Sequence, residues 1–311
     1  MSSVLISTSS FGAHDPRPTA LLRDAGLLVY DNPWGRTLTE DEVRRLLLRH
    51  QPAGLIAGVE PLTAAVLQEA AGHLKVISRC GAGLDNVDLQ AAERCGIAVY
   101  ATAEAPAAAV AELTVGLILD LVRGITASDR QIRAGRWQKS TGFLLQELTV
   151  GIVGLGRIGK RVGALLRAFD AGVIGSDLAP DAVWALQHDV RLMGADELLR
   201  QADVVTLHVP GAADGRPPLI GARELGLMKQ GSYLINTSRG GLVDEAALVA
   251  ALTAGRLAGA AVDTFAREPY DGPLRQAERA VLTPHIGSYA RAARIRMERD
   301  AVDNLLRGLR A

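Results

Sequence analysis

The feature that most constrains this chain is the stretch TVGIVGLGRIGKRVGALLRAF, residues 149 to 169. A run of strand-forming residues enters a glycine turn, and a helical pattern leaves it. Within the turn Gly154, Gly156 and Gly159 stand at G-x-G-x-x-G spacing. Each glycine meets a steric demand: the first permits a tight turn, the second lets backbone amides approach a pyrophosphate, and the third lets helix and strand pack closely. The phosphates then meet the positive end of the following helix. The next apolar run, GVIGSD, ends in Asp177, which lies 21 residues beyond Gly156, close to the roughly 20 at which an acid meets the ribose. A carboxylate there accepts from a 2′-hydroxyl and repels a 2′-phosphate, and Leu178 rather than an arginine follows it. The pattern predicts a dinucleotide site that favours NAD over NADP, with Gly154, Gly156, Arg157, Ile158, Gly159 and Asp177 as its candidate residues.

Around this unit, short aliphatic runs alternate with helix-like segments. SVLIST, GLLVYD, GLIAGV, LKVISR and GIAVYA occupy the first hundred residues, and TVGIVG, GVIGSD, DVVTLHV, SYLINT, GAAVDT and AVLT the second half. That rhythm predicts βαβ units and parallel sheets buried on both faces, an α/β fold. Between the two series lies one long apolar helix, residues 106 to 122, which opens on Pro106 as a first turn allows. A polar stretch, 123 to 142, follows it, and residues 289 to 309 read as an amphipathic C-terminal helix.

At 311 residues the chain is long enough for two domains. Thirty-four basic side chains balance thirty-four acidic ones, which argues against a nucleic-acid or anionic-membrane partner and for small molecules. The start shows no basic and apolar leader, and Glu112 and Asp120 interrupt the most apolar helix. Only two cysteines occur, Cys80 and Cys95, too few for a disulfide framework. The expectation is a cytoplasmic protein that neither spans nor binds a membrane, with no metal site.

A second glycine turn lies in LKVISRCGAGLDNVDL, where Gly81 and Gly83 lack a third glycine. Its free amides could hold a carboxylate, with Arg79 adding charge. A plain turn capped by Asp85 or Asp88 accounts for the spacing equally well. Three charged residues directly follow other apolar runs: Arg239 after SYLINTS, Glu268 after GAAVDTFAR and His285 after AVLTP. In open parallel sheets ligands lie outside the carboxyl ends of the strands. Singly the three read as a surface ion pair, a solvated acid and a polar turn residue. Together, in a sheet that carries a dinucleotide turn, they suggest hydride transfer with acid/base help. Arg239 would grip a carboxylate, His285 move a proton, and Glu268 fix the imidazole.

The segments VGLGRIG, INTSRGGLVDEAAL, AVDTFAREP and LTPHIGS, in this order, resemble the signatures of the D-isomer-specific 2-hydroxyacid dehydrogenases. SRCGAGLDNVDL and VAELTVGLIL extend the resemblance over nearly the whole chain. It implies two Rossmann-like domains with a cleft between them: a flavodoxin-like substrate-binding domain, residues 1–100 plus 287–311, and an NAD-binding domain, residues 101–286. It implies Arg239, Glu268 and His285 as the catalytic residues, with Arg239 on the substrate carboxylate. Asp263 would lie near the nicotinamide carboxamide, His208, Pro210 and Thr237 along the cofactor, and Arg79 and the amides of Ala82 and Gly83 on the substrate. Members are usually homodimers bridged by the segment around 112 to 145. The chain looks most like short D-3-phosphoglycerate dehydrogenases, yet Gly58-Val59 stands where many of them have an Arg-Ser phosphate anchor. That departure leaves hydroxypyruvate, glyoxylate or another 2-keto acid open as the substrate. Pro106 stands where asparagine is common. The family also includes NAD-sensing transcriptional corepressors, against which the lack of a basic patch counts.

Overall fold

The computed structural model describes residues 2–211 and 217–310. They form two compact units, one of residues up to Pro106 together with Ser288 onward, the other Ala107–Gly287.

In the first unit the aliphatic runs become β1 (Ser3–Ile6), β2 (Leu28–Asp31), β3 (Gly54–Ala57), β4 (Val76–Arg79) and β5 (Ala98–Ala101). They pair in parallel in the order β2-β1-β3-β4-β5. Right-handed crossovers require a helix between parallel neighbours, and here these are α1 (Arg17–Asp24), α2 (Glu40–His50), α3 (Ala64–Ala70) and α4 (Leu89–Arg94). A capping box starts α2: Thr39 accepts from the Glu42 amide and Glu42 accepts from the Thr39 amide. Side chains of β1 alternate between two cores. Leu5 packs with Val43, Leu47, Val66 and Ala91 on one face, while Val4 and Ile6 pack with Leu22, Met297, Val302 and Leu305 on the other. The last three belong to the C-terminal helix Arg291–Arg310. That helix also buries Arg294 and Glu298, whose charges are used inside the unit. Glu298 accepts from the Gly12 amide at 3.0 Å and Arg294 donates to Ser10 Oγ at 3.0 Å.

The second unit opens with α5 (Ala107–Arg123) and α6 (Ile125–Arg133). A seven-stranded parallel sheet follows, made of β6 (Thr149–Val153), β7 (Gly172–Ser176), β8 (Val190–Leu192), β9 (Val204–Leu207), β10 (Ser232–Asn236), β11 (Leu257–Val262) and β12 (Ala280–Leu282). Its helices are α7 (Arg157–Arg167), α8 (Ala182–Gln187), α9 (Ala195–Gln201), α10 (Ala222–Leu227) and α11 (Glu245–Thr253). The order β12-β11-β10-β9-β6-β7-β8 reverses direction between β6 and β9, the switch point at which a doubly wound sheet leaves a crevice for a dinucleotide. One core joins α5 and α7 to the sheet through Ile118, Val162, Ile152 and Ile235. The opposite core joins α9, α10 and α11 through Leu198, Leu225, Leu248 and Val205. Two elements depart from the sequence reading. The edge strand β8 is only three residues long and has Arg191 at its centre, so it carries no apolar run. The polar stretch after α5 contains α6, which starts on Gly124 in the left-handed region and buries none of its residues.

Candidate active site

The glycine turn divides its work by position. Gly154 has φ +96°, on the side of the map that glycine alone occupies freely, and a Cβ there would overlap the His208 carbonyl. At Gly159 a Cβ would overlap the Gly154 carbonyl oxygen. Gly156, the N-cap of α7, has nothing within 4 Å of where its Cβ would stand. The protein itself fills the space beside the first and third glycines and leaves it open beside the second, at a helix N-terminus. Asp177 closes the arrangement, because its carboxylate accepts from the Leu155 amide at 2.6 Å and the Ala179 amide at 2.8 Å. An open anion-binding helix end beside a fixed carboxylate fits the diphosphate and ribose of a dinucleotide.

Beyond β9, His208 Nε2 lies 3.0 Å from Thr206 Oγ1, while its Nδ1 is shut away from water without a partner among the described residues. Burial pushes this imidazole down to about 3, so it is neutral near pH 7. Pro210 follows on the surface. After β10, buried Asn236 shapes the turn that presents Arg239: its Nδ2 donates to the Arg239 carbonyl at 2.9 Å and its Oδ1 accepts from the Ser238 amide at 3.1 Å. Thr237 Oγ1 meets Thr114 Oγ1 of α5 at 2.8 Å. Arg239 Nη1 donates to the Ser238 carbonyl at 2.8 Å. Gly240 is packed so closely that a Cβ would overlap the Phe265 carbonyl, which brings the loops after β10 and β11 together.

The loop after β11 carries Glu268, and the loop after β12 carries His285. Glu268 Oε2 lies 2.9 Å from His285 Nδ1, and Glu268 Oε1 accepts from the Phe265 amide at 3.1 Å. Burial alone would raise this carboxyl. The hydrogen bond and charge of His285, with the Phe265 amide and Arg239, outweigh it and hold Glu268 below its ordinary value. His285 itself has φ +53°, an unusual conformation for a residue with a Cβ and one that must be held by its surroundings. Fully buried Asp263 does the holding. It accepts from Thr283 Oγ1 at 2.6 Å, the Ile286 amide at 2.8 Å and the Gly287 amide at 2.9 Å, bonds on both sides of the histidine. Arg239, Glu268 and His285 thus stand on loops leaving adjacent strands at one edge of the sheet.

In the first unit, β4 delivers Arg79 to the second glycine turn, where Arg79 donates to the Cys80 carbonyl. Gly81, at φ +154°, donates to Thr102 Oγ1 at 2.8 Å. The Gly81 amide therefore closes the turn onto Thr102. Asp88 instead starts α4, accepting from the Ala91 amide at 2.8 Å.

The seven-stranded sheet and its glycine turn define a dinucleotide-binding α/β protein. The family model of the D-isomer specific 2-hydroxyacid dehydrogenase, NAD binding domain, matches residues 115–287. A D-3-phosphoglycerate dehydrogenase of Archaeoglobus fulgidus is 37% identical over 259 residues, covering 81% of this chain and 49% of that protein. A glyoxylate reductase of Thermofilum pendens is 40% identical over 253 residues, 78% of this chain and 74% of its own. The crystal structure of the TT0316 protein of Thermus thermophilus superposes with a TM-score of 0.88 at 36% identity, covering 99% of this chain and 97% of that one. The chain belongs to the D-isomer specific 2-hydroxyacid dehydrogenases, a family of NAD-dependent oxidoreductases, and carries their NAD-binding domain. It spans about half the length (49%) of the Archaeoglobus relative. Asn236, Thr114 and Thr102 escaped the sequence reading, since each is a single buried polar residue inside or beside an apolar run.

Proposed function

We propose that this protein interconverts an (R)-2-hydroxy acid and its 2-keto acid with NAD(H). The observation that carries the proposal is the 2.9 Å hydrogen bond between His285 Nδ1 and Glu268 Oε2, on the same sheet edge as Arg239. Gly154, Gly156, Arg157, Ile158, Gly159, Asp177, His208, Pro210, Thr237 and Asp263 are the residues that would hold the dinucleotide. When bound, the reduced nicotinamide supplies a hydride for the carbonyl carbon of the keto acid. Arg239 pairs with the substrate carboxylate through its planar fork. Protonated His285 gives its proton to the carbonyl oxygen as that oxygen takes up negative charge. Glu268 fixes the orientation of the ring through its Nδ1. Hydride and proton together complete the alcohol, and the reverse reaction returns the proton to His285.

The first unit serves as the substrate domain in this reading and the second as the NAD domain. Arg79 and the amides of Ala82 and Gly83 would bind the substrate. The assembly is a homodimer built on α6 and the segment after it, where Ile125, Ile132, Phe143 and Leu144 are exposed and Trp137 is 85% exposed. Such an apolar stretch on a surface marks an interface. A cytoplasmic location is supported by Cys80 and Cys95 both being free thiols, and among the described residues no helix is long and apolar enough to cross a membrane. Incubation with NADH and a panel of 2-keto acids tests the proposal. Keto-acid-dependent loss of NADH absorbance supports it, and NADH binding without turnover of any acid contradicts it.

A further inference from the structure

The five-stranded sheet of the first unit has its own switch point, between β1 and β3, from which chains run to opposite sides. At the carboxyl ends of such a pair a crevice opens where flavodoxin-like sheets bind ligands. Here the crevice is filled from within. The β3 run continues into Gly58-Val59-Glu60, and Glu60 is 1% exposed. The Gly58 amide donates to both of its carboxylate oxygens, at 3.0 and 3.1 Å, and the hydroxyl of Ser7, just past β1, donates to Oε1. Asn86 Nδ2 ties the same turn down by donating to the carbonyls of Gly58 at 3.2 Å and Glu60 at 2.7 Å.

This turn borders the candidate substrate turn, because Ala57 pairs with Arg79 and the Cys80 amide donates to the Ala57 carbonyl at 2.9 Å. The Gly58 amide already bonds the protein's own carboxyl group, and the Ser7 hydroxyl is taken up between that carboxyl group and the Ile56 carbonyl at 3.1 Å. A side chain at position 58 would lie 2.8 Å from Glu60 Oε2, so Glu60 and a larger residue at 58 compete for one space. We propose that Glu60 is a specificity-determining residue that occupies the place of a second substrate anion, so that the substrate is a short 2-keto acid without a phosphate. The inference rests on the proposed 2-keto acid reduction. Burial raises the Glu60 carboxyl above its ordinary value, with Ser7, the backbone amides and Arg79 pulling the other way. The Gly58 amide stays engaged whether or not Glu60 is ionised, because a carboxyl oxygen accepts in either form.

The test compares kcat/KM of the full chain with NADH for glyoxylate, hydroxypyruvate and 3-phosphohydroxypyruvate, in wild type and in Glu60→Ala. We expect wild type to favour the better unphosphorylated acid over the phosphorylated one by about 10²-fold or more, the scale on which a misplaced polar group is rejected. Glu60→Ala, which releases the Gly58 amide and empties the space of the carboxyl group, should narrow that ratio by about tenfold. If the alanine variant does not fold, Glu60→Ser is read in its place. Turnover of 3-phosphohydroxypyruvate as good as that of the other acids, or an unchanged ratio in the folded variant, overturns the inference while leaving 2-keto acid reduction intact. No turnover of any acid overturns the functional reading itself, and this inference with it.

Discussion

His285 and Glu268 are joined by a 2.9 Å hydrogen bond between loops that follow different strands, and that bond separates positioning from proton transfer. Glu268→Gln keeps the size of the side chain and removes the charge that faces the imidazole. Reduction by this variant should lose about 10- to 100-fold in kcat with KM nearly unchanged, as expected when an interaction matters mainly in the transition state. Steady-state kinetics on the purified variant check this.

The same bond gives an acid-side signature. Glu268 is held below its ordinary carboxyl value in the folded protein, so its ionised form contributes stability that is complete above the unfolded value and is lost as pH falls through the folded one. Thermal unfolding of wild type and Glu268→Gln should therefore differ most near neutral pH. The difference should shrink below about pH 4.

His208 produces a second pH effect in a higher window. Its folded value is about 3 against an ordinary 6.5, so below 6.5 the unfolded chain binds a proton that the native chain refuses. Stability on this account is complete above pH 6.5 and falls by roughly 1.4 kcal/mol per pH unit on the way down. Replacing His208 by glutamine should flatten that slope in denaturant unfolding between about pH 6 and 4.

Asp263 accepts three hydrogen bonds that flank His285. Asp263→Ala would leave the buried Gly287 amide and the partly buried Ile286 amide and Thr283 hydroxyl without their acceptor, at a cost of roughly 2 kcal/mol. A lower melting temperature should accompany a drop in kcat. Asp263→Asn, which retains an acceptor, should recover part of both.

The glycine turn offers a contrast between folding and binding. Gly159→Ala places a methyl group against the Gly154 carbonyl and should yield little folded protein. Gly156→Ala meets nothing within 4 Å, so it should fold normally yet crowd the approach to the helix end and weaken NADH by about tenfold or more. Circular dichroism and fluorescence titration of NADH distinguish the two.

Strands with several adjacent aliphatic residues were legible in the sequence because burial on both faces of a parallel sheet demands them. The glycine turn was legible because its steric demands leave few alternatives. β8 was not, since an edge strand of three residues with Arg191 at its centre carries no such run. Nor were Arg294 and Glu298, which lie within the buried face of the C-terminal helix and which a charge pattern assigns to solvent. At the site, Arg239, Glu268 and His285 could be named from their places after apolar runs. Asn236, which shapes the Arg239 turn, and Glu60, which fills the β1/β3 crevice, could not, because one buried polar residue has no periodicity and its partners are distant in sequence.

In the proposed reaction His285 moves the proton of a nicotinamide-dependent reduction. This role is tested most directly by measuring keto-acid-dependent NADH oxidation by His285→Ala beside its affinity for NADH. If His285 is the proton donor, kcat falls by about 10²-fold or more with NADH binding nearly intact. A variant that binds NADH normally and retains the wild-type kcat would contradict this role.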